Sequence, residues 1–440
     1  MLRTINENTI FGVAKSATSY VFLVIFYKLA QPGQIGDYIL YDVALAASCL
    51  ATLGLQSRSY KELDPCGLHL LSLAFHALLP LACLAGWLTG WEMPAILALL
   101  VILDRIADVE LQGTRQDGHF LLYNSMDLLN QVLTKAGFLL VAMGHALWLP
   151  LILLKVAGTL GWLVTRRRRW QGTGFLPTWR GMSSSVHELK EYIGFDVLNY
   201  ACGHLDLLLL NGVAPQPLLI AYFYVRKFIR LPLVILTYVL DPVYVALRSM
   251  ADRAAGRRII LRLLAWASWS MLAYAFILVP ALAWTSGDPL VMRVAAILLL
   301  TTPALTFNRF ADLITLLYWP QRQRLLSRSF GTLSNVLVLL LPLLGLPWET
   351  ALAWIPALTW EATALIVFKV KPGLAAASSL ACGVAAYGLV HLIDGATVGP
   401  WLLSATDAAL LLAALALATL AALAGTGSVR HALNSQESTA

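Results

Sequence analysis

The sequence predicts an all-α, polytopic membrane protein of about fourteen transmembrane helices, in two pseudo-symmetric six-helix lobes followed by a C-terminal helix pair. Three observations carry this. At 440 residues the chain is 59% hydrophobic and only 12% charged, with a mean hydropathy of +0.73, whereas charge in soluble domains runs near a quarter. Apolar runs recur at about 20 residues, the length that crosses a bilayer as a helix. Lys and Arg gather in alternate connections between these runs, which is the signature of membrane topology.

In chain order the spans fall near 9–30, 36–56, 66–90, 93–112, 120–143, 146–165, 192–213, 217–247, 259–283, 290–318, 326–345, 349–368, 374–393 and 407–425. Short turns rich in Pro, Gly, Trp and Asp join antiparallel neighbours, among them Gln31-Pro32-Gly33, Trp91-Glu92, Ser286-Gly287-Asp288-Pro289 and Pro347-Trp348-Glu349. With the N-terminus inside, every loop-borne cation falls on the cytoplasmic side, from Arg3, Arg58 and Arg115 through the Arg166 to Arg169 run to Arg322, Lys369 and Arg430. Shifting the register by one helix destroys that separation, so both termini are expected in the cytoplasm. The opening stretch MLRTINENTIFG lacks the basic start, short apolar run and small-residue cleavage site of a signal peptide, so the first helix is expected to stay.

The longest connection, Arg166 to Lys190, divides the chain into an N-terminal lobe (1–165), a basic cytoplasmic linker (166–190), a second lobe (191–370) and a final pair with a polar tail (371–440). A weak repeat agrees. At an offset of 184, Ala30 and Tyr38 match Ala214 and Tyr222 around the first external turn of each lobe. Duplicated bundles of this kind place their site between the halves in many secondary transporters.

Charge inside the membrane is the first pointer to function. The spans contain Lys15, Lys28, Arg105, Lys135, Lys155, Arg226, Lys227, Arg230, Arg293 and Arg309. Lys28 and Arg293 lie near helix ends, where they can snorkel. An ionised group at the bilayer centre costs about 2.5–3.5 kcal/mol, so Arg226, Lys227 and Arg230 together need water, a carboxylate or an anionic ligand. Tyr222, Arg226 and Arg230 share one face of the eighth span, with Pro232 and Pro242 expected to interrupt the helix below them. Paired guanidinium forks suit a phosphate. On the seventh span Asp196, Asn199, Gly203 and Asp206 form a stripe, with Asp206 at about the depth of Arg226. An Arg226–Asp206 ion pair is the competing reading, but one carboxylate cannot also neutralise Lys227 and Arg230.

In the first lobe Lys15 joins Gly12, Ser16 and Ser19 in a polar face, and Asn124, Asp127, Gln131, Thr134 and Lys135 recur at helical spacing on the fifth span. Interhelical hydrogen bonding explains such a stripe when it holds only Ser and Asn; with Asp127 and Lys135 in it, a water-filled cavity is an equal reading. Asp104, Arg105 and Asp108, and likewise Arg309 with Asp312, read mainly as local ion pairs or gate contacts.

Other chemistry is thinly supported. The net charge of +7 is spread over short loops, which argues against nucleic acid. Cys49, Cys66, Cys83, Cys202 and Cys382 show neither a disulfide framework nor zinc spacing. His69 and His76 have no third ligand at metal spacing, so no metal or cofactor is expected. Walker and GxSxG motifs are missing, as is an external loop long enough to carry the catalytic acids of a glycan-modifying enzyme.

The segment from Gln31 to Tyr38, followed by Leu53-Gly54-Leu55, resembles the first hairpin of bacterial O-antigen and polysaccharide flippases, with Leu53 where those proteins usually carry Phe. Asp206, the short turn, Ile220 to Tyr222, Arg226, Lys227 and Pro242 are similar to their seventh and eighth helices, with Ile220 where Gly often stands. These flippases belong to the multidrug/oligosaccharidyl-lipid/polysaccharide exporter superfamily. The resemblance implies a transporter in the bacterial inner membrane. It would flip undecaprenyl-pyrophosphate-linked oligosaccharide from the cytoplasmic to the periplasmic leaflet by alternating access. Lys15, Arg226 and Arg230 would meet the pyrophosphate, and Asn124, Gln131, Asn199 and Tyr222 the sugar. Asp127 and Asp206 would serve as coupling residues for a proton or cation, or as structural ion pairs. Membrane lipids and a polysaccharide polymerase are the partners it implies. The last two spans, uncharged from Ala408 to Gly425, would line a groove for the polyprenyl tail or pack peripherally. A cation-coupled multidrug exporter of the same fold is the runner-up, and it should have an acidic cavity.

Overall fold

The computed structural model describes residues 2–47, 99–104, 120–145, 194–201, 203–208, 214–248 and 288–299, with positions 88, 153–155, 157–158, 210–211, 278, 282, 286, 325–326, 328–329, 332–333, 336 and 340. Among the described residues every regular element is an α-helix. Five are long: α1 (Leu2–Leu29), α2 (Pro32–Ala47), α3 (Phe120–Ala142), α4 (Gln216–Arg248) and α5 (Pro289–Leu299). The chain forms two compact units, residues 2–204 and 205–440.

In the first unit α1 packs on α3. Their polarity is reversed relative to a soluble bundle. Asn8, Ser16, Asn124, Asp127 and Thr134 are buried, while Ile10, Val13, Val21, Ile25 and Leu29 on α1 and Leu121, Leu122, Leu129 and Val132 on α3 are exposed. Outward aliphatic stripes over a polar interior are stable when the surroundings are lipid. Glu7–Leu29 is long and apolar enough to cross a bilayer. Below the polar layer, Phe22 and Phe26 of α1, Tyr38 and Tyr41 of α2 and Phe138 of α3 pack ring on ring, with Phe22–Tyr38 at 5.1 Å and Tyr38–Phe138 at 5.0 Å between centroids. Hydroxyls of Thr18 and Ser19 donate to the carbonyls of Ala14 and Lys15, which satisfies them without water.

The helix ends follow from local chemistry. Gln31 caps α2, and the Gln34 side chain accepts a hydrogen bond from the Gln31 N–H at 2.9 Å while donating to the Val141 carbonyl near the end of α3. This is one half of a capping box, and it also ties two helices together. α3 closes on Gly144 at φ +69°, with His145 N–H bonded to the Leu140 carbonyl and Gly144 N–H to that of Val141. That pair of bonds defines a Schellman motif, and the left-handed residue favours glycine.

In the second unit α4 packs on α5, which starts with Asp288 accepting the Leu290 N–H at 2.9 Å ahead of Pro289. Contrary to the expectation from the sequence, α4 runs unbroken through Pro232 and Pro242. Each proline removes one backbone bond, and helices enclosed by neighbours tolerate that loss. From Leu218 to Ile229 nearly every side chain of α4 is buried, including Tyr222 and Arg226.

The turn between α1 and α2 and the turn before α4 share their backbone bonds at the offset of 184. Ala30 N–H bonds to the Phe26 carbonyl and Ala214 N–H to that of Leu210; Ile35 N–H bonds to Gln31 and Leu219 N–H to Pro215. At matching positions the contents differ. Phe22 packs on Tyr38 in the first hairpin, whereas Asp206 accepts a hydrogen bond from Tyr222 in the second.

Candidate functional site

In the second unit, Asp206 and the first three turns of α4 build a buried ion-pair cluster. The tight turn brings the helices together so that Arg226 Nη2 donates to Asp206 Oδ1 at 3.0 Å, and Arg226 Nε lies 3.0 Å from Oδ2 as a charge contact. Tyr222 O–H and the Leu207 backbone N–H donate to the same carboxylate. All three side chains are buried. One turn on, half-buried Arg230 lies within electrostatic range of Asp206. Lys227 sits 5.2 Å above the Phe223 ring, a contact that stabilises a poorly solvated ammonium. Tyr222, expected among the sugar contacts, is thus occupied with the carboxylate. Asn199, expected beside it, is exposed, whereas Asp196 and Asp206 on the same predicted stripe are buried.

In the first unit, the polar faces of α1 and α3 meet. Lys15 Nζ reaches Asp127 Oδ2 at 2.6 Å, and Gln131 donates to Asp127 Oδ1 at 3.5 Å. Lys135 donates to Gln131 Oε1 at 3.2 Å and to the Ser19 hydroxyl. At the N-terminal end of this seam Asn124 Nδ2 donates to Asn8 Oδ1 at 2.7 Å, and the buried Asn124 Oδ1 has no hydrogen-bond partner among the described residues. The structure therefore brings Lys15, Asp127 and Gln131 together, with Asn124 on the same seam.

A third cluster was not among the expected site residues. Asp104 pairs with Lys155, and Tyr41 of α2 and Asn130 of α3 also donate to its carboxylate. Lys155 in turn donates to the Thr134 hydroxyl. The described partners of Asp104 thus come from other segments. The signal was present in Lys155, a cation within a span, but the adjacent Arg105 made a local pairing the simpler reading. Arg105, Asp108, Arg309, Asp312, His69, His76, the 166–190 connection and the last two spans lie outside the described residues. Among the described residues no group of three His, Cys, Asp or Glu could hold a metal ion.

No family model matches this chain, and no curated protein matches it. Among solved structures the chain is similar to a lipid II flippase, MurJ, in its inward closed conformation. The two share 13% sequence identity at a TM-score of 0.50, over 94% of this chain and 97% of that one. The likeness is one of fold: an all-helical, polytopic membrane architecture over nearly the full length.

Proposed function

We propose that the chain is a flippase for undecaprenyl-pyrophosphate-linked oligosaccharide, moving it from the cytoplasmic to the periplasmic leaflet for O-antigen or exopolysaccharide synthesis. Cations held inside the membrane carry this reading, foremost Arg226 with Arg230 one turn away on the same helix. Ionisable groups inside a membrane are costly and by default mark a substrate or ion pathway. The full-length likeness to the fold of a lipid II flippase supports a transporter rather than an enzyme. In this reading the chain has fourteen helices in two six-helix lobes and a final pair, with both termini in the cytoplasm of a bacterial inner-membrane protein. Lys15, Arg226 and Arg230 serve the pyrophosphate, and Asn124, Gln131, Asn199 and Tyr222 the sugar. A polysaccharide polymerase would take the delivered glycolipid. Outward movement of the anion is favoured by an inside-negative potential, about 2.3 kcal/mol per charge per 100 mV. The multidrug-exporter reading calls for an acidic cavity, and the excess of Lys and Arg within the spans speaks against it.

Arg230 gives the cleanest test, because Arg226 is also the counter-ion of a buried carboxylate. Arg230→Gln should reach the membrane at wild-type abundance and fail to relieve accumulation of lipid-linked glycan in the cytoplasmic leaflet of cells lacking the protein. Loss of one charge-assisted contact of about 1.5–3 kcal/mol predicts roughly ten- to hundredfold weaker anion binding. A normal leaflet distribution in cells without the protein would overturn the flippase reading.

A further inference from the structure

We infer that Lys227 is a further ligand-binding residue of α4, joining Arg230 in a two-cation seat for a diphosphate beside the Arg226–Asp206 pair. Resting on the flippase reading, Lys227 would select lipid carriers joined to their glycan by a diphosphate over those joined by a single phosphate.

Between Gln216 and Leu231 the charged side chains of α4 are Arg226, Lys227 and Arg230. Asp206 meets the first of them with both carboxylate oxygens, Oδ1 accepting from Nη2 at 3.0 Å and Oδ2 lying 3.0 Å from Nε. Tyr222 and the Leu207 N–H also donate to that carboxylate. Arg226 is 4% exposed, and with its charge matched inside the fold it brings a ligand no net charge. Lys227 and Arg230 are both half-buried, so each keeps part of its side chain accessible. Three cations against this one carboxylate leave two positive charges, and charge inside a membrane is stable only when its opposite meets it.

The helix sets the shape of the seat. Phe223, Lys227 and Arg230 recur at i, i+4 and i+7 and share one face, adjoining the side of Tyr222 and Arg226 that meets Asp206. Lys227 and Arg230 are three apart, which puts their Cβ atoms about 5–6 Å from each other. Two long cations rooted that close can converge on adjacent oxyanions. A diphosphate esterified at both ends presents a matching pair of negative charges on neighbouring phosphorus atoms, whereas a phosphate diester presents one. The buried Phe223 ring holds the Lys227 ammonium 5.2 Å from its centroid. A π face attracts without formal charge, so it steadies the ammonium and yields it to a phosphate, whose hydrogen bond to a cation is charge-assisted. Arg230 adds a planar fork and Lys227 a compact point charge.

The test is calorimetric titration of the purified full-length protein in maltoside detergent with inorganic pyrophosphate and, separately, orthophosphate. Wild type is expected to bind pyrophosphate more tightly than orthophosphate. Lys227→Met, whose thioether still packs on an aromatic ring, should bind pyrophosphate about ten- to hundredfold more weakly and orthophosphate nearly as wild type does. Lys227→Arg should restore the preference, and Lys28→Met, which removes an exposed cation from the last turn of α1, should change neither affinity. Should Lys227→Met fail to fold, Lys227→Gln takes its place with the same expectations. Overturning results are no pyrophosphate binding in wild type, an unchanged pyrophosphate affinity in the Lys227 variant, an equal loss for both anions, the same loss in Lys28→Met, or no recovery in Lys227→Arg. The binding readout needs no transport. If the expected pattern appears while cells lacking the protein keep a normal leaflet distribution of glycolipid, the flippase reading fails and the seat stands. If Lys227→Met binds pyrophosphate as wild type does and relieves glycolipid accumulation, the seat fails and the flippase reading stands.

Discussion

Arg226 is buried, so its neighbourhood must supply an opposite charge or a ligand. Asp206 supplies it, with Tyr222 and Leu207 filling the remaining acceptor positions. Removing one partner of such a pair leaves the other buried and uncompensated. Arg226→Gln alone should therefore destabilise the protein by about 3–5 kcal/mol, whereas Arg226→Gln with Asp206→Asn should recover most of the loss. Thermal unfolding of the purified variants in detergent measures both. If the double variant is no more stable than the single one, the pair is not what Arg226 contributes to the fold. Asp206 and Arg226 were legible in the sequence because charges stood out against apolar runs on the two arms of one hairpin. Lys155 and Asp104 were not, because their meeting depends on how separate spans pack.

At the level of the helices, the ends were easier to read than the interiors. Turn residues mark where a backbone donor or acceptor must leave the ladder, and α3 and α4 begin and end close to the expected boundaries. The prolines of α4 misled, since proline costs a helix one bond without ending it when neighbours enclose the segment. Glycine can be judged only from geometry. Gly144 has φ +69°, so Gly144→Ala should cost about 1–2 kcal/mol through the left-handed backbone. Gly36 lies in ordinary helix with open space where a Cβ would stand, so Gly36→Ala should stabilise the protein by about 0.4–1 kcal/mol. The same melts test this contrast. Activity loss in a stable Gly36→Ala would mean that the glycine of the Gly-x-Tyr element serves a contact rather than the fold.

For the whole molecule, the polarity of the described helices of the first unit is the guide. Aliphatic stripes face outward on α1 and α3 while Asn8, Asn124 and Asp127 turn inward, which fits a polytopic membrane fold like that of the lipid II flippase. The loop charges predict its orientation. In a background lacking the five native cysteines, a membrane-impermeant thiol reagent added outside should label Gln216→Cys and Ser286→Cys and leave Thr173→Cys and Ser435→Cys unlabelled until the cells are opened. Labelling of Thr173→Cys in intact cells would reverse the topology.

The sequence by itself determined that the chain lives in a membrane, where its turns fall, and that cations lie within its spans. These follow from composition, run length and local backbone chemistry, which need no partner distant in the chain. Only the tertiary structure decided which charges meet. The same Lys15, Arg226 and Asp206 read equally as ligand contacts or as ion pairs until the packed helices put Lys15 on Asp127, Arg226 on Asp206 and Lys155 on Asp104. The physical reason is that a Coulombic interaction depends on separation in space, and helix rotation and depth, which set that separation, are fixed by packing rather than by any local pattern.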